Sequence, residues 1–119
     1  MSITVTSPTS GKFGFILNGV SSDASGCELL KAAPTGGQSI YIDHLTINNG
    51  ADAISVTIGE GETTPGSVDT ALIGPIAMAV NTSIQFDFPN SMKLTPGKPL
   101  VIDASGAGAI CVFAYGKVR

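Results

Sequence analysis

The stretch from Ser39 to Glu60, SIYIDHLTINNGADAISVTIGE, limits the fold more than any other part of the chain. Two apolar-rich runs flank a polar hinge, Asn48-Asn49-Gly50-Ala51-Asp52, and that arrangement predicts two antiparallel strands joined as a hairpin. In the second run Ile54, Val56 and Ile58 alternate with Ser55 and Thr57, the period of a strand with one buried face. In the first run Ile40 and Ile42 share one parity while Leu45 and Ile47 share the other, so the phase slips near Asp43-His44. A β-bulge at that point returns all four side chains to the core.

The rest of the chain repeats this signal in shorter pieces. SITVT over residues 2–6, KFGFIL over 12–17, CELLKAA over 27–33, and residues 71–79, 80–88, 100–103 and 109–118 are the further strand candidates. Gly14, between two phenylalanines, predicts a close backbone approach. Asn18-Gly19 predicts a turn, followed by a loop over 20–26. CELLKAA has helical propensity but is too short to stand as a helix, and Pro34 and Gly36-Gly37 end it. Residues 61–70 read as a polar connection, with turns at Pro89-Asn90, at Pro96-Gly97 and over 104–108. About eight or nine short strands and no convincing helix predict an all-β chain, an antiparallel β-sandwich of jelly-roll type. The 119 residues suit a single domain, with residues 1–25 forming either an N-terminal arm or the first strands.

Charge narrows the class of function. Charged residues make up 13% of the chain and the net charge is −3, with no basic run, which argues against neutralising a phosphate backbone. So few charges leave a surface of Ser, Thr, Asn and Gly, or one partly covered by other chains. No apolar run reaches membrane-spanning length, and MSITVTSPTSG has neither the basic nor the apolar region of a signal peptide. The expectation is synthesis in the cytoplasm without membrane association. Cys27 and Cys111 fit no zinc or disulfide spacing and are expected to be two buried free thiols.

Three stretches together, AAPTGGQSIYIDHLTINNGADAISVTIGEG, LIGPIAMAVNTSIQFDF and LTPGKPLVIDASGAGAICVFAYG, resemble small jelly-roll proteins found among bacteriophage virion genes. The likeness covers roughly residues 28–116 and rests on turns and strands rather than on chemistry. It implies a jelly-roll subunit that oligomerises, often as a trimer, on a phage particle as a capsid decoration, fibre or spike component. It also implies a virion location, contacts with other virion proteins and, as an alternative role, a carbohydrate- or receptor-binding module of a fibre that meets surface glycans.

The residues offer little that points to catalysis, and the expectation is that the chain is not an enzyme. His44 beside Asp43 suggests a base and its orienter, but neighbours on a strand point to opposite faces, and no nucleophile motif accompanies them. Glu60, Glu62 and Asp69 read as a solvated acidic loop without the spacing of a calcium loop. Gly11-Lys12 and Gly97-Lys98 lack the rest of a phosphate loop, and Gly106-Ala107-Gly108 is a turn rather than a dinucleotide motif. Asn81-Thr82-Ser83 matches the glycosylation sequon only by chance. No catalytic, cofactor-binding or metal residue is assigned, no cofactor is expected, and no aromatic platform is evident.

The closing strand gives the sharpest functional expectation. Ile110, Val112 and Ala114 lie on one face, and Cys111, Phe113 and Tyr115 on the other. Only one face of a sandwich strand meets the core. Something else must cover Phe113 and its neighbours; a second subunit is the simplest cover, and a folded-back loop such as the N-terminal 25 residues is the competing one.

Overall fold

The computed structural model describes residues 3–7, 14–21, 26–63, 67–106 and 108–119. Among them are nine strands: β1 (Thr4–Thr6), β2 (Phe15–Ser21), β3 (Gly26–Lys31), β4 (Ile40–Asn49), β5 (Ile54–Thr63), β6 (Ser67–Met78), β7 (Ser83–Lys93), β8 (Leu100–Ala104) and β9 (Ile110–Val118). The first sheet has the order β1-β2-β9-β4-β7 and the second β3-β8-β5-β6. All pairings are antiparallel.

The pairings are nested. β5 pairs with β6, β4 with β7, β3 with β8 and β2 with β9, as in a ribbon folded back at its middle. The ribbon wraps so that alternate pairs fall into opposite layers, and β9–β4 and β8–β5 contacts complete the sheets. This winding is that of a jelly roll. The chain is an all-β sandwich, as its alternation predicts.

The hairpin expected over residues 39–60 does not form. β4 lies between β9 and β7, and β5 lies between β8 and β6 in the other sheet. Both arms bury apolar faces, and burying them against each other across the core requires the hinge to cross from one layer to the next. Asn49 fixes that crossing: its Nδ2 donates to the carbonyls of Asp52 (2.8 Å), Ala79 (2.9 Å) and Met78 (3.4 Å). The hairpin of this region is β5–β6 instead, so 61–63 and 67–70 of the expected polar connection are strand, and 64–66 lie outside the described residues.

Two further boundaries move. β2 continues through Asn18-Gly19 to Ser21, because β1 and β9 pair with it on both sides there; residues 12–13 and 22–25 lie outside the described residues. Pro89-Asn90 does not end β7. Residues 88–91 bow outward opposite Asp43 alone, with Ser91 at a φ of 59°, and the strand resumes to Lys93. CELLKAA is extended in β3 to Lys31, as read from its neighbours rather than from its propensity.

The bulge at Asp43 is present in both ladders of β4, between Ile42 and His44. Ile40, Ile42, Leu45 and Ile47 are all fully buried. Opposite the bulge, a Cβ on Gly116 would lie 1.9 Å from the carbonyl oxygen of Tyr41, so only glycine fits. Gly14 makes the expected close approach, its would-be Cβ 2.7 Å from the Cα of Lys117. The core joins Leu17, Ile42, Leu45, Val112 and Ala114 of one layer to Val56, Ile58, Leu100 and Ile102 of the other. Each large side chain contributes about 1.5–3 kcal/mol of burial.

All four sheet edges are blunted. β1 has three residues, β3 shifts register at Leu29–Lys31, β6 carries Pro75 with register shifts beside it, and β7 bows at Pro89. Proline offers no N–H and an irregular edge offers no ladder, so strand addition is disfavoured.

Candidate binding face

With the edges closed to pairing, the outward side chains of the first sheet become the distinctive surface. The registers place them in rows across the strands: Val20, Cys111, Asn48 and Ser83; then Asn18, Phe113, Thr46 and Gln85; then Ile16, Tyr115, His44 and Asp87; then Lys117, Tyr41 and Lys93. The middle rows are aromatic. Tyr115 stacks on His44 with centroids 5.2 Å apart at 12°, and Phe113 meets Tyr115 edge-on at 6.1 Å and 66°. The ammonium groups of Lys93 and Lys117 each lie 5.8 Å from the centroid of Tyr41. Ile110, Val112 and Ala114 face the core and Cys111, Phe113 and Tyr115 face outward, as alternation predicts.

This gathering of rings corrects the expectation of no aromatic platform. Phe113 and Tyr115 were legible as outward from β9 alone. Tyr41 and His44 join them only because β4 is the neighbour of β9, a pairing between strands far apart in sequence.

His44 does not use Asp43. Its Nδ1 is 2.7 Å from Asp87 Oδ1 and its Nε2 is 2.6 Å from Thr46 Oγ1. With Nδ1 donating to the Asp87 carboxylate, Nε2 accepts the Thr46 hydroxyl. Hydroxyl, imidazole and carboxylate thus stand in the order of an acyl-transfer triad. The chemistry also needs donors aimed at a developing oxyanion, and the backbone around Thr46 is committed to the β4 ladders. The array holds the imidazole flat against Tyr115.

Asp43 also turns outward, contrary to the alternation rule, because the bulge adds a residue at that point. It accepts a hydrogen bond from Ser91 Oγ and lies 3.6 Å from Lys117 Nζ, which itself donates to Ser91 Oγ at 3.1 Å. The bowed loop of β7 is thereby tied to β9.

The remaining candidates separate. Glu60 is not solvated: it is 6% exposed, and its carboxylate accepts Thr95 N–H (2.6 Å) and Thr95 Oγ1–H (2.5 Å), pinning the connection before β8. Glu62 lies exposed on β5, and Asp69 belongs to β6. Gly97 closes a turn by donating to the Gln38 carbonyl at 2.9 Å, and Asn81 does so to Gly50 at 2.7 Å with a φ of 54°. Gly11-Lys12 and Ala107 lie outside the described residues.

Both cysteines are free, and they lie on opposite layers. Cys27 is buried on β3 opposite Asp103. Burial, then the charge of Glu62, pushes its thiol up to about 12. Burial also raises the carboxyl of Asp103. Cys111 is only half-buried, which corrects the expectation of two buried thiols; its Sγ lies 3.4 Å from Asn18 Oδ1. No family model, curated protein or solved structure matches this chain, so its surfaces are read from their own residues.

Proposed function

We propose that this chain is a non-catalytic structural subunit that works by assembling with other chains, a virion component of the decoration or fibre kind that the jelly-roll resemblance implies. The observation that carries the reading is the ring cluster of Phe113, Tyr115 and His44, with Tyr41 in the next row, on an outward sheet face. A face turned only to water is normally polar. An aromatic centre with a rim of Asn18, Asn48, Gln85 and Ser83 is the anatomy of a protein interface. The blunted edges direct association to this face, and a homo-oligomer, with a trimer as its leading form, is the simplest assembly.

Light scattering coupled to gel filtration tests it. A mass well above 12.0 kDa at micromolar concentration is expected, with Phe113→Asp returning the chain to 12.0 kDa while keeping its β spectrum. A wild-type particle of 12.0 kDa overturns the self-assembly reading. One observation favours a second role: neutral amides beside rings are also the groups that bind sugar hydroxyls and ring faces, as in the glycan-binding alternative. Binding of the Phe113→Asp monomer and of wild type to a glycan array separates the two, since only a sugar site gives signal that the variant loses.

A further inference from the structure

The assembly reading leaves open what lies on the ring-bearing face, and the molecule has a second unsealed apolar surface. Where β6 and β7 end the two sheets, Ile73, Ile76, Ile84, Phe86 and Phe88 lean on the core yet stay half-exposed. Phe86 and Phe88 lie parallel, 6.3 Å apart at 9°. β6 and β7 belong to different sheets and each pairs with only one neighbour, so among the described residues no strand closes this seam. Pro75 and Pro89 interrupt its edges, so any cover must come through side chains rather than a ladder.

We propose that the seam of one copy packs on the aromatic face of the next, head to tail, and that the copies close into a ring. This rests on the assembly reading above and names its partner: a second copy of the same chain, engaged through a different patch. The two surfaces meet along β7, whose Gln85 and Asp87 point to the face while Ile84, Phe86 and Phe88 point to the seam. A two-fold dimer joins the same patch on both copies, so it would cover the face and leave the seam open, or the reverse. A heterologous contact covers both in every copy with a single kind of interface. Because the seam looks sideways and the face looks outward, each contact turns the next copy through a large angle, so few copies complete a turn and a contact without rise closes a small ring.

Size and charge agree with this contact. Five strands at about 4.8 Å spacing and four rows of outward residues give a face on the order of 600 Å² in plan. A standard interface takes roughly 800 Å² per partner, so the face, rim included, supplies most of one. The charged groups Asp43, Asp87, Lys93 and Lys117 are grouped at the Tyr41 end, and the Val20 and Phe113 rows hold none. The seam residues are uncharged as well, so their contact buries no lone charge.

Complementation of two variants tests the proposal. Phe113→Asp spoils the face and keeps the seam; Ile76→Asp spoils the seam and keeps the face. Each alone is expected at the mass of one chain, and an equimolar mixture, at the concentration that fully assembles wild type, is expected to form a one-to-one pair of twice that mass. Thr46→Arg with Ile73→Lys is the second pair, used if either first variant loses its β spectrum. A wild-type oligomer whose variants stay single when mixed overturns the head-to-tail contact and leaves self-assembly standing. So does a folded seam variant that keeps the wild-type mass. A wild-type monomer overturns self-assembly itself.

Discussion

The outward faces of the two sheets share one core and one alternation rule, yet they are built from different residues. On the first sheet the outward positions carry Phe113, Tyr115, His44 and Tyr41. On the second they carry Ser55, Thr57, Asp103, Ala77, Cys27 and Val101, with Leu29 exposed at one edge and no ring among the described residues. Inside, the two layers are alike, with Leu45 and Ile47 fully buried on one side and Val56 and Ile58 on the other. The core therefore explains neither face. The second face is polar at Ser55, Thr57 and Asp103, and its apolar Val101 and Cys27 are already buried within the chain. The first keeps large rings outside, half-buried by their neighbours, and leaving them in water forgoes a part of the roughly 1.5–3 kcal/mol that full burial of each side chain gives. That asymmetry separates a surface made for a partner from one made for solvent.

The largest way to break the comparison is to break the crossing that puts the faces on opposite sides. Asn49 is 6% exposed, and its Nδ2 donates to three backbone carbonyls. Asn49→Asp is nearly isosteric but sets a buried carboxylate against those carbonyls, with no donor to replace the lost one. An unpaired buried charge costs about 3–5 kcal/mol, enough to remove most of a small domain's stability. Denaturant melts near neutral pH should show that loss, partly recovered in acid as the new carboxyl protonates. A loss below about 1 kcal/mol would mean the crossing is held by other contacts.

Asn49 also marks the limit of what the sequence discloses. Val56 and Ile58 were legible as core because burial on one side of a strand writes itself as a period of two. The slip at Asp43 was legible for the same reason, since a bulge is the cheapest way to restore phase. The hinge was not. Asn48-Asn49-Gly50 says that the chain turns, but whether its arms pair or part is decided by β7, β8 and β9, which lie far along the chain. The same long-range choice hid the ring cluster, because Tyr41 and His44 take their meaning from lying beside Tyr115. Glu60 was misread for a different reason: its partner, Thr95, is 35 residues away, and an acidic residue in a polar stretch gives no local sign of burial.

A middle-sized effect sharpens the comparison through the two thiols, one on each sheet. Cys27 is pushed up to about 12 from an ordinary 9.0, so its thiolate near pH 8 is about a thousandfold scarcer than that of an ordinary thiol. Cys111 lies half-buried on the ring-bearing face beside Asn18. In the Phe113→Asp monomer, iodoacetamide should alkylate Cys111 at least about ten times faster than Cys27, as read by mass spectrometry of peptides. In assembled wild type, Cys111 should slow while Cys27 stays as it was. Equal protection of Cys111 in the two proteins would place the partner elsewhere than on this face.

The smallest effect concerns Asp103, a charged group in the middle of the second face. Asp103 stands on β8 between Cys27 of β3 and Thr57 of β5, and burial raises its carboxyl. A carboxyl raised in the folded state binds its proton more readily there than in the unfolded chain. Between the unfolded and folded values the native state therefore holds more protons, and stability falls as pH rises through that window. At neutral pH the full penalty is in place; below the ordinary carboxylate value, near 3.9, it is gone. Asp103→Asn removes the charge and keeps the shape. It should raise Tm by about 1–3 °C at pH 7, the scale of a few tenths of a kcal/mol in a domain this size, and leave it unchanged near pH 3. Asp87→Asn on the first face serves as its counterpart: Asp87 has a side chain 74% exposed and pairs with His44 at 2.7 Å, and exposed pairs of this kind contribute between about 0 and 1 kcal/mol. That variant should hold or slightly lower Tm at pH 7, opposite in sign to Asp103→Asn. A drop in Tm for Asp103→Asn at pH 7 would show that the Asp103 carboxylate is a needed acceptor rather than a buried cost, and the second face would then be more than a solvated surface.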